Sequence, residues 1–256
     1  MPPRAAAEEP GQRLGHEVVI IEVGHKCKRF SVHKKLLQLS APFFDKGFQE
    51  DCFREGFEGV LYLPEDHPGA LGLFIKWIHR MTLPSGNSQS YVNALYHLWI
   101  FAKKLCLPTS ALKDTIIDKI QDVSNNYNLE PSSAMVRMVF DKTAKNSNLR
   151  LYCIDVIAFS LLLKPELRRT GPDAKRLEEI LDDELEQVYE MTTGHPDMFK
   201  DLFYKAIGFM KMNNLSDPRV RYRLGMQGQC GYHEHSEKGD CHFAQGALPP
   251  FIRDVE

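Results

Sequence analysis

Along the first third of the chain, apolar positions alternate with polar ones and then shift to helical spacing. EVVIIEV, residues 17–23, is short and β-branched and is followed by Gly24 where a turn belongs, so it reads as a strand returning through KRFSV as a hairpin. Ser31 is placed to cap VHKKLLQLS, where Leu36, Leu37 and Ser40 share a face with His33. Ser40, with Pro42 in the first turn, starts a second short helix, APFFDKGF. GVLYLPED predicts a third strand, Leu61 and Leu63 on one face and Val60 and Tyr62 on the other. Asp66 and Pro68 then open a helix with Leu71, Phe74, Ile75 and Ile78 along one face and Leu73 and Trp77 along another. Apolar residues on two faces predict deep burial or an added interface.

After the turn LPSGNS, the pattern is helical throughout. YVNALYHLWIFAKKL carries Leu95, Leu98, Trp99, Ala102 and Leu105 at helical spacing; Pro108 stops it and Thr109 caps a helix striped by Leu112, Ile116, Ile120 and Val123. SNNYNLEPSS is a polar break. Beyond it helices are predicted over 133–144, 148–163, 173–190 and 196–212. The third has eight acidic residues against two basic, with Leu177, Leu181, Leu185 and Val188 as its apolar stripe, and reads as a solvated outer face. The expectation is an α+β chain: a lead-in at 1–13, a mixed domain at 14–124, an all-helical region at 130–213 and an irregular Cys/His tail at 214–256.

Composition narrows the function classes. Of 256 residues 43% are hydrophobic, enough for a sizeable core, and 32 Lys and Arg against 34 Asp and Glu give a net charge of -2. There is no bulk drive toward nucleic acid or an anionic membrane. MPPRAAAEEPGQR lacks the apolar stretch of a secretory signal, and LYCIDVIAFSLLL is too short to span a bilayer and contains Asp155, so it reads as a buried helix. The expected setting is cytoplasmic or nuclear. Cys27, Cys52, Cys106 and Cys153 stand singly and read as reduced thiols acting as small hydrophobes; Cys230 and Cys241 alone have metal-ligating company.

The ordered blocks of residues 17–83 resemble a BTB/POZ domain, most closely the stand-alone BTB proteins of filamentous fungi. They are the strand ending in Val23 and Gly24, FSVHKKLL with Phe30, His33 and Lys34, LSAPFF, Phe48 with Glu50, and LYLPEDHPGALGLFIKWIH. The helices through Val123 fit the rest of that fold. Glu17 stands where the family carries Asp, and the helices after residue 130 match no defined extension. The resemblance implies a non-enzymatic interaction module that forms homodimers or oligomers and recruits a client protein. Some relatives bring substrates to cullin-type ubiquitin ligases, and Phe48, Gln49 and Glu50 supply their hydrophobic–any–Glu pattern, as Phe53, Arg54 and Glu55 also do. Independently, Phe43, Phe44, Phe48, Phe53 and Phe57 fall within 15 residues. That much aromatic surface lies either at a protein contact or in the domain's own core.

No phosphate-cradling loop, zincin helix or nucleophile elbow occurs, so no enzyme is expected. His33 reads as a hydrogen-bonding structural residue. DPRVRYRL sets Arg219, Arg221 and Arg223 at strand alternation; they either grip phosphates, as a nucleic-acid-associated regulator would, or pair with acidic neighbours such as the helix at 173–190. The tail CGYHEHSEKGDCH offers Cys230, His233, His235, Cys241 and His242, of which four suffice for a structural zinc. A metal-free polar tail and a disulfide between the two cysteines are the alternatives.

Overall fold

Alternation at the start of the chain produces the predicted hairpin. The computed structural model describes residues 16–48, 59–167, 177–211, 217–220 and 230–235. Strand β1 (Val18–Val23) pairs antiparallel with β2 (Lys28–His33), and β3 (Val60–Leu63) pairs parallel with β1, giving the order β2-β1-β3. Gly24 occupies the left-handed region at φ 72, and its amide donates to the Leu63 carbonyl at 2.9 Å. Glycine adopts that backbone conformation without the strain a side chain brings.

Two compact units divide the chain, the first comprising described residues from 16–85 and 97–110, the second those from 86–96 and 111–235. This division differs from the polar break at 124–133, because the helix Ala111–Tyr127 runs into it and its apolar stripe belongs to the second unit. In the first unit, helix α1 (Lys34–Ser40) follows β2 directly, and α2 (Pro42–Gly47) follows after one extended residue, Ala41. Ser31 does not cap α1: it lies within β2, and His33 takes the N-cap position with no side-chain hydrogen bond. Nor does Ser40 cap α2, since its hydroxyl donates back to the Leu36 carbonyl at 2.5 Å and Ala41 is the cap. Helix α3 (Pro68–Arg80) is capped by His67 rather than Asp66, with His67 Nδ1 accepting from Gly69 N at 3.1 Å. Ala70, Leu71, Leu73, Phe74, Trp77 and Ile78 are buried, so both of its apolar faces are covered. The inner sheet residues Val19, Ile21, Val23, Val32, Leu61 and Leu63 complete this core.

Helix α4 (Gln89–Lys104) runs from the second unit's residues into the first's. In the second unit, α5 (Ala111–Tyr127) buries Leu112, Ile116, Ile117, Ile120 and Val123. Ser132 caps α6 (Ser133–Lys142) by accepting from Met135 N at 3.3 Å. Helix α7 (Asn148–Leu167) packs against α6 and against α9 (Pro196–Met210), while α8 (Leu177–Thr192) packs chiefly on α6. Arg150 is buried: its guanidinium lies 4.6 Å over the Phe140 ring and donates to the Phe140 and Thr143 carbonyls, which leaves that charge satisfied. Leu185, expected in the apolar stripe of the acidic helix, is 58% exposed, with Tyr189 one turn on at 68%. No helix among the described residues is long and apolar enough to cross a membrane.

Candidate metal centre

Helix α5 buries polar side chains as well as apolar ones. Asp114, Asp118 and Gln121 follow at i, i+4 and i+7 and are all buried. Such a stripe is costly unless each group meets a partner. The partners come from beyond residue 216: Asp114 Oδ1 accepts from Glu234 N at 2.7 Å, Asp118 Oδ1 lies 3.0 Å from His233 Nε2, and Gln121 Nε2 donates to the Pro218 carbonyl at 2.7 Å. Lys113 adds an ion pair to Glu234 at 2.7 Å. From α7, Asn148 Nδ2 donates to the His233 carbonyl at 2.5 Å. The Tyr232 hydroxyl donates to Asp155 Oδ2 at 2.9 Å, and the Tyr232 ring meets Tyr152 edge-on with centroids 5.2 Å apart. Burial raises the Asp155 carboxyl above its ordinary range, an effect opposed by Lys205, whose ammonium lies 2.8 Å away. Residues 230–235, which form no helix or strand beyond a single 3-10 position, are therefore held by side chains of two helices.

Within this segment Cys230, His233 and His235 turn toward a common point, their ligating atoms all within 4.8 Å of one another. His233 Nδ1 and His235 Nε2 are 3.2 Å apart, and the His233 amide donates to the Cys230 carbonyl at 3.1 Å, closing the turn that brings the cysteine back. Two nitrogens that both bind a tetrahedral zinc at about 2.0–2.1 Å lie about 3.3 Å from each other. The observed separation is close to that edge. With the Asp118 carboxylate 3.0 Å from Nε2 as an acceptor, the His233 tautomer protonated at Nε2 would turn its Nδ1 lone pair toward His235. His235 Nδ1 is buried without a hydrogen-bond partner among the described residues.

Of the five tail residues the sequence singles out, three are thus brought together, and Cys241 and His242 lie outside the described residues. The sequence reading missed Asp114, Asp118 and Gln121. Their spacing was visible, but a polar stripe on a helix looks the same whether it meets water or another segment.

The other sequence candidates fall differently. Arg219 is not available to phosphate: it is buried and pairs with Asp217 at 2.7 Å, with Glu130 at 3.6 Å and with Asn128 Oδ1 at 2.9 Å. Its acidic partners among the described residues are Asp217 and Glu130, and described residues 217–220 form a turn, not a strand. Arg221 and Arg223 lie outside the described residues. Phe44 and Phe48 are core residues at 0% and 1% exposure, Phe44 stacking on Phe48 and Phe74 with centroids 6.5 and 5.8 Å away. Of the predicted aromatic contact, among the described residues only Phe43 is half-buried rather than buried, under Lys104 Nζ at 5.2 Å, and Phe53 and Phe57 lie outside the described residues. The adaptor pattern loses its exposed aromatic at Phe48, and its Glu50 lies outside the described residues, as do Phe53, Arg54 and Glu55.

Phe30 is half-buried; Lys34 is buried and bonded to Glu17 Oε1 at 2.9 Å; His33 keeps a buried Nδ1 without a hydrogen-bond partner among the described residues. Cys153 is buried and its thiol is pushed up to about 12 by burial, whereas Cys27 and Cys106 are exposed and do not act as core hydrophobes. Cys52 lies outside the described residues. A pocket of about 440 Å³ beside the start of α7 presents Lys145 and Lys205, but these are engaged by Asp197 at 2.6 Å and Asp155 at 2.8 Å. Compared with known proteins, the chain matches no family model, no curated protein and no solved structure.

Proposed function

We propose that the chain is a protein–protein interaction module that self-associates through its N-terminal unit, read as a BTB/POZ domain over residues 14–124, and that its helical region recruits a client protein. The observation that carries self-association is the outer face of the sheet. Side chains alternate across a strand, and while Val19, Ile21 and Val23 of β1 face the core, Val18 and Ile20 face away from it beside Val60 and Tyr62 of β3. Val18 is 52% exposed and Tyr62 50%. Val18, Ile20, Val60 and Tyr62 form an apolar patch bordered on the same face by Glu22, paired with Arg29, and by Ser31 and His33, the make-up of a protein contact with an apolar centre and a polar rim. The order hairpin, α1, α2, β3, α3 follows the order of the sequence blocks on which the family resemblance rests, which supports the same reading.

Sedimentation velocity over a concentration series tests this. The wild-type chain is expected to dimerise with a dissociation constant of about 10 µM or tighter, about 7 kcal/mol of association. Paired Val18→Lys and Tyr62→Lys changes are expected to give a monomer with unchanged circular dichroism. A wild-type chain that stays monomeric at about 100 µM, where such a constant leaves mostly dimer, overturns the reading.

A further inference from the structure

We infer that Cys230 Sγ, His233 Nδ1 and His235 Nε2 are three ligands of a structural zinc ion, and that Asp118 is a positioning residue that orients His233 through its other ring nitrogen. The inference rests on the second unit alone and does not depend on self-association.

Four observations converge on it. The three ligating atoms lie within 4.8 Å of one another, and the two imidazole nitrogens are separated by 3.2 Å, close to an edge of a zinc tetrahedron. Two imidazoles facing each other at that distance share at most one proton, whereas a cation accepts a lone pair from each. A thiolate with two imidazoles suits zinc, a borderline-soft ion, better than calcium or magnesium, which take oxygen donors. The carboxylate behind His233 is the arrangement that fixes a ligating histidine's tautomer, and Asp118, itself 4% exposed, comes from an independent element.

The ligands are also pre-positioned. Asp114 holds the backbone of Glu234, Asn148 holds the carbonyl of His233, and Tyr232 is anchored on Asp155. The ion would complete a clasp that keeps residues 230–235 on α5 and α7, with water in its fourth position. Because a short irregular segment has little structure of its own, the binding free energy appears as stability of the clasped form.

The test uses the full chain, purified without a histidine tag, loaded with zinc and freed of excess. About one equivalent of zinc per chain is expected. Cys230 should resist iodoacetamide until a strong chelator is added, while exposed Cys27 and Cys106 alkylate throughout and buried Cys153 in neither state. Cobalt loading should give the intense visible bands of a tetrahedral ion and a thiolate charge-transfer band that Cys230→Ser removes. Asp118→Asn should weaken zinc affinity about 10- to 100-fold in competition with a chromophoric chelator, whereas His195→Gln, remote from the cluster in sequence, should leave it unchanged. Zinc below about a tenth of an equivalent, against the single site required, overturns the assignment. So does a Cys230 alkylation rate that the chelator leaves unchanged, and this readout needs only the wild-type chain.

Discussion

The apolar cluster around α2 and the polar stripe of α5 are both buried, yet they are built on opposite terms. Phe44 is buried because its ring loses water and gains contact with Phe48, Phe74 and Phe101, a gain that many arrangements of similar volume would supply. Asp114 and Asp118 are buried where particular donors, Glu234 N and His233 Nε2, reach them. Removing a ring leaves a cavity; removing a carboxylate strands its partner. Apolar burial is therefore tolerant in its partners and costly in its volume, whereas polar burial depends on the partner itself.

Three measurements sharpen the contrast, beginning with the largest effect. Phe44→Ala is expected to destabilise the chain by about 3–5 kcal/mol in chemical denaturation, and Phe43→Ala, whose ring is only half-buried, by distinctly less. Equal losses would place both rings in the core. Asp114→Ala comes next: leaving the Glu234 amide without its acceptor is expected to cost about 1–3 kcal/mol. Hydrogen exchange should report the loss at residues 230–235 while the sheet amides of β1 stay protected. Loss of protection at both together would make the tail part of the global core rather than a clasp on it.

The third measurement concerns a polar pair within the first unit. His67 and His97 stack with ring centroids 4.3 Å apart, and His97 is lowered to about 4 by burial and then by the neighbouring His67, against a weaker opposing pull from Asp66. His67 is lowered as well, by burial and by Lys28. The unfolded chain takes up a proton near 6.5 that the folded chain refuses until about 4. Stability is then whole above 6.5 and falls as pH drops across that window, to a limit reached near 4. His97→Gln is expected to flatten this limb of a melting-temperature profile, and an unchanged slope would assign the acid dependence to other groups.

Much of the fold was legible because its signals are local. The β-branched run of β1, the alternation of Leu61 and Leu63 with Val60 and Tyr62, and the stripe Leu112, Ile116, Ile120, Val123 each declare their element and buried face. Caps were less legible. Ser31 and Asp66 have the chemistry of a cap, but β2 continues past the first and His67 takes the place of the second, both outcomes of where the strand and helix are held by their neighbours.

The centre was half legible. Cys230, His233 and His235 stand together in the sequence and so announced themselves, while Asp118 is more than a hundred residues away and looks like any exposed helix acid. Arg219 was half legible too: of its two readings, pairing with acidic neighbours holds, but the partners are Asp217 and Glu130, in a turn rather than on a strand.

What the sequence determined by itself is which residues go inside by virtue of being apolar, since transfer out of water needs no specific partner. It likewise determined that thiol and imidazole donors lie close along the chain. Only the tertiary structure decided which charged and polar groups are buried, because that depends on a donor meeting an acceptor at about 3 Å, and the two come from segments whose approach no local pattern encodes.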